Sequence, residues 1–351
     1  NEAHLHLRKF IQKEIVHRQD DMRFVIKSRF GHHVHEDKLI CCHGPYTVYP
    51  DGKIVKTVCN SDLTVIANAM VPSCLPARET PVWGGDDWEV IEAAAGDYRD
   101  FIRKHYYHDG YEKARLALAV TLSSPFLAFA GDNMFRPTEA LPSNGFIVSL
   151  YSATSGVGKT ALEDVICAAY GNSSLRMSGK KSLMTETSGY SAAQNLGIYP
   201  FVLDEVTQNE ASTAINMIES FANGQGRIRA DQRGALQKSV KTWSLITCLS
   251  TNIPQRELIA SKQNAADPIQ MRILELDFTD LPLVGDREAF RREYRDLTTK
   301  SGAFGLLQAR YITLFGIEKL TALIERNTTR ATELLNVPQP YRFLSVHWLS
   351  P

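Results

Sequence analysis

The stretch Ala153-Thr154-Ser155-Gly156-Val157-Gly158-Lys159-Thr160 follows the apolar run Phe146 to Leu150 and leads into a segment of helical spacing that begins at Ala161. A loop that cradles phosphate needs small residues so that successive backbone N–H groups can point inward. It also needs a lysine to reach the β and γ phosphates and a hydroxyl for magnesium. Gly156, Gly158, Lys159 and Thr160 supply these in order, with Ser155, Val157 and Ala161 completing the cradle. Ala153 replaces the first glycine of the usual pattern, a small residue that the loop accepts if its backbone angles stay negative. Strand, loop and helix in this order imply that the chain binds and hydrolyses a nucleoside triphosphate.

Magnesium also needs a carboxylate and an attacking water needs a base, so an acidic pair is expected at the end of an apolar strand. Phe201-Val202-Leu203-Asp204-Glu205 fits, with Asp204 holding the metal through water beside Thr160 and Glu205 polarising the nucleophile. A further strand, Ser244 to Leu249, delivers Ser250-Thr251-Asn252 to the carboxyl edge of the sheet, where ligands gather in open α/β folds. Asn252 can hydrogen-bond the γ-phosphate or the water; alone, it would read as part of an Asn-Ile-Pro turn. Arg272, just before the strand Ile273 to Phe278, is a candidate arginine finger for the nucleotide of a neighbouring subunit, and Arg256 is its rival. These four apolar strands, separated by helical or looped stretches, predict an α/β core with a mostly parallel sheet.

Lysine plus arginine and aspartate plus glutamate both total 39, so no global positive field announces a nucleic-acid partner. Any such binding must be local. Gly224 to Lys241 carries Arg227, Arg229, Arg233, Lys238 and Lys241 against the single Asp231. Alternation around Arg233-Gly234 suggests a hairpin whose tip contacts a nucleic-acid backbone. A solvated hairpin, or arginines serving the nucleotide across an interface, are the other readings.

Outside this core the sequence divides into three further regions. Residues 1–82 read as an amphipathic helix over 3–18 followed by a small β-rich unit, and Pro72, Pro76 and Pro81 make the stretch up to Gly85 the best linker. Residues 83–142 hold two helices, Asp86 to His105 and Tyr111 to Phe129. The ATPase core spans 143–282, and charged amphipathic helices fill 283–351, Arg287 to Leu297 and Gly305 to Leu335. His32, His33, His35, Cys41, Cys42, His43, Cys59 and Cys74 crowd one region, but no Cys-x-x-Cys pair exists and spacing argues against a metal. His105 and His108 are expected at the surface. The six cysteines form no disulfide framework, which suits a cytoplasmic setting, and no apolar run approaches the roughly 20 residues that span a bilayer. An opening at Asn1 and a close soon after an apolar stretch suggest a fragment of something longer.

The order of phosphate loop, acidic pair, basic stretch, strand ending in Ser-Thr-Asn and lone arginine resembles the superfamily 3 helicases of viruses and phages. Their A, B, B′ and C motifs are matched by Ala153 to Thr160, Leu203 to Glu205, Ser220 to Lys241 and Leu249 to Pro254. The region from Met22 through the helices before the loop is similar to the domain of unknown function 927 family, on Phe30-Gly31 and Pro50-Asp51-Gly52. The first resemblance implies an AAA+-like P-loop NTPase fold, ATP and Mg2+ as ligands, and a homo-oligomeric, hexameric ring with ATP between subunits. It also implies DNA replication as the setting, single-stranded DNA in a central channel contacted by hairpins, and a possible primase in the same longer chain. Two departures stand out: Ala153 is not glycine, and the basic tip is richer in arginine than the usual lysine or histidine pattern. A P-loop ATPase that assembles or remodels protein partners, and a nucleotide-binding scaffold that hydrolyses little, are the competing expectations.

Overall fold

The computed structural model describes residues 25–26, 29–77, 82–130, 144–180, 184–206, 211–226, 241–260, 272–282 and 286–335. The expected helix over 3–18 and the tip of the basic stretch, Arg227, Arg229, Arg233 and Lys238, lie outside the described residues. Twelve strands are described: β1 (Val25–Ile26), β2 (Gly31–His35), β3 (Lys38–His43), β4 (Tyr46–Val48), β5 (Ile54–Lys56), β6 (Val58–Cys59), β7 (Val82–Trp83), β8 (Asn144–Tyr151), β9 (Arg176–Ser178), β10 (Phe201–Asp204), β11 (Ser244–Thr251) and β12 (Ile273–Asp277). The helices that matter here are α1 (Thr64–Ala69), α2 (Asp87–Tyr106), α3 (Glu112–Leu122), α4 (Lys159–Tyr170), α5 (Glu186–Leu196), α6 (Ala211–Asn223), α7 (Gln255–Ala260), α8 (Arg287–Thr298) and α9 (Ala303–Leu335).

Five strands form an all-parallel sheet in the order β12-β8-β11-β10-β9. A parallel sheet needs helices over both faces, so its central strands read as continuous apolar runs rather than alternating ones. Accordingly every residue of β11 is buried, including the polar Ser244, Thr247, Ser250 and Thr251. The strand that carries Asn252 therefore lies between the strand of the phosphate loop and that of the acidic pair. Gly145 in β8 is where α6 presses closest: a Cβ there would stand 1.8 Å from the carbonyl oxygen of Phe221. β9 was not visible as a strand in the sequence, because three residues with polar Arg176 and Ser178 carry no periodic signal.

A second, antiparallel sheet has the order β2-β3-β4-β5-β7. Its last strand comes from the proline-punctuated stretch: Val82 and Trp83 pair with Val55 and Ile54, so a boundary after residue 82 falls inside a strand. Trp83 Nε1 donates to the Pro76 carbonyl at 3.0 Å and Trp88 Nε1 to that of Gly52 at 2.6 Å, which ties the stretch down at both ends. The expected helix from Tyr111 to Phe129 is α3 followed by a 3-10 turn over Ser124–Phe129, because Pro125 cannot continue the α-helical ladder. Ser124 clamps that turn to the parallel sheet, donating to the Ile198 carbonyl at 2.6 Å and accepting from the Ile246 N–H at 2.9 Å. α9 is interrupted at Gly316, whose φ of 71° and ψ of 173° leave the helical region. One continuous apolar core runs from Phe30 through both sheets to Ile324. His105 is not at the surface: it rests on Phe101 and Phe290 and bonds Glu293 at 2.8 Å.

Candidate functional site

The phosphate loop leaves the carboxyl end of β8 and enters α4 at Lys159. Gly156 and Gly158 have φ of +81° and +96°, the left-handed region that a side chain resists, whereas Ala153 is not among the described residues of positive φ. The substitution of Ala153 for glycine is thus accommodated as expected. No side chain caps α4 at Gly158, so the first-turn N–H groups stand available for an anion, aided by the helix dipole. Lys159 Nζ donates to the carbonyls of Ser152 (3.1 Å) and Thr251 (3.0 Å) and to Asn252 Oδ1 (3.0 Å). Burial lowers the pKa of its ammonium, an effect that Glu163 and Asp204 partly reverse. Asn252 is itself fixed by a turn in which Thr251 Oγ1 donates to the Ile253 carbonyl at 2.7 Å and accepts the Ile253 N–H at 3.1 Å and Gln255 Nε2 at 2.9 Å.

Asp204 closes β10 and Glu205 follows it out of the sheet. Glu205 has φ of +56°; the other described non-glycine residues with positive φ, Glu36 and Asp37, form the turn between β2 and β3. Ser250 Oγ donates to Asp204 Oδ1 at 2.9 Å and accepts the Glu205 N–H at 3.2 Å. The Glu205 carboxylate is ion-paired with Lys180, and Arg176 Nη1 lies 3.8 Å from Asp204 Oδ2. Glu163, one turn beyond Lys159, is fully buried, and neither of its carboxylate oxygens meets a hydrogen-bond partner. Burial first and the nearby Asp204 second push its pKa up to about 8; Ser250, whose hydroxyl is already committed to Asp204, offsets this only in part. Ser250, Lys180 and Glu163 escaped sequence reasoning because a serine, a lysine and a helical glutamate carry no pattern until the strands are in register.

Beside the loop opens a cavity of about 650 Å³ walled on one side by Gly156, Gly158, Thr160 and Ala161. Its far wall is aromatic and cationic: Tyr106 and Tyr111, then Phe290 and Tyr294 with Arg287, Arg291 and Arg295 from α8. The arginines recur every four residues, so they share one face of the helix. Tyr294 Oη donates to the Asp164 carbonyl at 3.2 Å and Tyr111 Oη to that of Pro282 at 2.9 Å, which holds the wall to the loop's helix and to the exit of the sheet. In sequence this row was legible only as an amphipathic helix. The uncapped helix start, the lysine held only by oxygen acceptors, the paired carboxyls and the aromatic wall fit a nucleoside triphosphate with magnesium.

The remaining cations stand elsewhere. The Ile147 N–H donates to the Arg272 carbonyl at 2.9 Å, which puts Arg272 at the amino end of β12, away from the carboxyl end of β8 where the phosphate loop begins. It is exposed and its guanidinium donates to Asn223 Oδ1. Arg256 instead donates from Nη2 to the Ile273 carbonyl at 3.2 Å. The basic stretch is rooted at that same end of the sheet: Gly226 N–H donates to the Lys241 carbonyl at 2.8 Å, Gln225 and Thr242 form an antiparallel bridge, and Trp243 N–H donates to Gly224 at 2.9 Å. Two chain segments thus leave side by side, as a hairpin requires.

Four members of the histidine and cysteine cluster, His32, Cys41, Cys42 and His43, are built into the core. His32 bonds the Pro125 carbonyl at 2.8 Å, Cys41 the Tyr199 hydroxyl at 3.6 Å and Cys42 the Thr47 hydroxyl at 3.6 Å. Burial lowers the pKa of His32 and His43 to about 3, so both are neutral imidazoles. No cluster of three or more metal-ligating side chains occurs among the described residues.

Residues 90–242 match the family model for DUF927, a domain of unknown function. The resemblance expected from Met22 onward therefore starts later and takes in the phosphate loop and acidic pair; Phe30-Gly31 and Pro50-Asp51-Gly52 lie outside it. No curated protein matches the sequence. Among solved structures, one described as "SCCmec type IV Cch - active helicase" superposes with a TM-score of 0.58 at 14% identity, covering 92% of this chain and 54% of that one. The S. cerevisiae Hsp104-ADP complex superposes at a TM-score of only 0.35 with 15% identity, over 70% of this chain and 49% of that one, too loose to carry weight. The chain spans about half the length of the helicase structure, and at this identity the likeness is one of fold. Sheet, loop and likeness agree on an α/β P-loop NTPase core whose fold resembles that of the helicase structure. Among the described residues no helix is long and apolar enough to cross a membrane.

Proposed function

We propose that the chain is the ATP-hydrolysing motor of a DNA helicase or translocase of the phage or mobile-element replication type, a cytoplasmic ring of six copies. One observation carries the reading. The phosphate loop, acidic pair and Asn252 share the carboxyl edge of the parallel sheet, while Arg272 and the root of the basic stretch share the opposite edge. A cation at that edge cannot serve its own chain's loop, but it can serve a neighbour's, and a ring repeats that relation at every interface. The likeness to an active helicase supports the DNA-directed part of the reading.

The geometry supports the following roles. Lys159 exchanges its three oxygen partners for the β and γ phosphates, and the first-turn N–H groups of α4 take the rest of the charge. Thr160 and Asp204 would hold Mg2+, which when bound would neutralise charge building on the phosphate oxygens. Glu205 takes the proton of the attacking water, Asn252 orients that water, and Arg272 of the adjoining copy stabilises the transferred phosphoryl group. The nucleoside lies in the cavity against Tyr106, Tyr111 and Phe290. Arg227, Arg229, Arg233 and Lys238 meet the phosphates of single-stranded DNA, an interaction that weakens steeply with salt.

Forked-duplex unwinding, with ATPase measured with and without single-stranded DNA, tests this on wild type, Lys159→Ala and the Arg229→Ala/Arg233→Ala double variant. The reading expects DNA-stimulated hydrolysis in wild type, none in Lys159→Ala, and loss of stimulation with basal hydrolysis retained in the double variant. If DNA neither binds nor stimulates, the protein is an assembly or remodelling ATPase instead. A double variant that keeps DNA affinity but loses hydrolysis assigns those arginines to the nucleotide interface.

A further inference from the structure

We infer that Ser250 is a positioning residue for the hydrolytic step, setting both members of the acidic pair through one hydroxyl. The inference rests on the ATPase reading given above and deepens it. Because β11 lies between β8 and β10, the phosphate loop and the acidic pair never pair directly, and consecutive residues of β11 must relate them. Thr251 and Asn252 face the loop's side, where their oxygens hold Lys159. Ser250 faces the other side and is buried to 3% exposure.

A serine hydroxyl has one proton and two lone pairs, and here the proton and one lone pair are in use. The proton goes to Asp204 Oδ1 at 2.9 Å, which fixes the rotation of the metal-holding carboxylate and leaves Oδ2 on the side of Arg176. The lone pair accepts the Glu205 N–H at 3.2 Å. That second bond falls at the point where Glu205 adopts φ of +56°. A residue with a Cβ resists this conformation and holds it only when its surroundings over-determine it. The hydroxyl is one such determinant, and Lys180, ion-paired to the Glu205 carboxylate, is the other. Lys180 is in turn fixed by its neighbour: Gly179 N–H donates to the Asp204 carbonyl at 2.6 Å, and a Cβ at Gly179 would stand 2.8 Å from Val206.

Removing the hydroxyl therefore acts twice. Asp204 loses its rotational restraint, and Glu205 loses the acceptor that keeps its backbone turned, so its carboxylate moves relative to the γ-phosphate. Nucleotide affinity, which rests on the loop and Lys159, is untouched. A threonine keeps the hydroxyl, and β-branched residues suit a strand.

The test compares wild type, Ser250→Ala and Ser250→Thr for kcat and KM with ATP, for Mn2+ affinity of the ATP-bound protein by titration calorimetry, and for melting temperature. Expected for Ser250→Ala is a kcat about 10- to 100-fold lower, the scale of a lost hydrogen bond to a charged group, with KM within about threefold and Mn2+ affinity down about 10-fold. Ser250→Thr stays within about threefold of wild type on every measure. Wild-type kcat and Mn2+ affinity in Ser250→Ala overturn the inference. So does a Ser250→Thr variant as impaired as Ser250→Ala, since volume rather than the hydroxyl would then be at issue. If wild type binds ATP and Mn2+ but hydrolyses nothing, the ATPase reading fails; the Mn2+ arm then still decides whether Ser250 sets Asp204.

Discussion

Replacing Glu163 with glutamine makes the protein more stable than wild type at high pH, and by an amount that the structure sets. The Glu163 carboxyl is buried without a hydrogen-bond partner, and its pKa rises from 4.5 to about 8. Between those values the folded chain holds a proton that the unfolded chain has released. The unfolded state then binds fewer protons, so stability falls with pH at about 1.4 kcal/mol per unit. The stabilisation is fully present below the unfolded pKa and is lost as pH rises through about 8. Across the whole window the sum is on the order of 4–5 kcal/mol. Glutamine has the shape of the protonated acid and does not titrate, so Glu163→Gln lacks this slope. Urea denaturation at pH 5, 6, 7 and 8 should give nearly equal stabilities at pH 5 and a variant ahead by several kcal/mol at pH 8. Parallel stability curves for the two proteins refute the reasoning, because they would mean that Glu163 is ionised, and therefore partnered, in the folded state.

Other consequences are as direct. Gly145→Ala puts a Cβ 1.8 Å from the Phe221 carbonyl, a backbone clash that no rotamer relieves; a loss of at least about 3 kcal/mol in urea denaturation is expected, and wild-type stability contradicts the packing described. Cys41, Cys42, Cys167 and Cys248 are buried, with burial pushing the Cys41 thiol up to about 12, so native protein at neutral pH should react with a disulfide reagent at Cys59 and Cys74 only, and at all six once unfolded. Rapid reaction of the buried four contradicts the core. Arg291→Ala should weaken binding of a fluorescent ATP analogue about 10-fold while leaving melting unchanged, and undiminished affinity removes the α8 wall from the nucleotide site.

Much of this was legible in the chain because phosphate chemistry constrains contiguous residues. Gly156 to Thr160 must follow each other in one loop, and the acidic pair must end an apolar strand, so both are written locally. The four long strands of the parallel sheet were legible for a similar reason, being buried on both faces and continuously apolar. Strand order was not legible, since nothing in Ser244 to Thr251 states that it inserts between the loop's strand and that of Asp204. Ser250, Glu163 and Lys180 become site neighbours only through that order. Val82–Trp83 was hidden by its prolines, which forbid a central strand but not a short edge strand. Tyr106 and the arginine row of α8 line one cavity from positions far apart in the chain, and periodicity shows only that each lies on a helix. The crowded histidines and cysteines lacked the spacing of metal ligands, and His32, Cys41, Cys42 and His43 among them are core side chains.

The central claim is that the nucleotide site is completed by another copy of the chain, and mixing two inactive variants tests it. Lys159→Ala retains Arg272 but cannot hold the phosphates, while Arg272→Ala retains the loop but offers no finger. Each alone should hydrolyse ATP at the background rate. An equal mixture forms some interfaces that join an intact loop to an intact arginine, and in a randomly assembled ring hydrolysis should return to about one quarter of the wild-type rate. A mixture that stays at background, with both variants folded and assembled, contradicts the account.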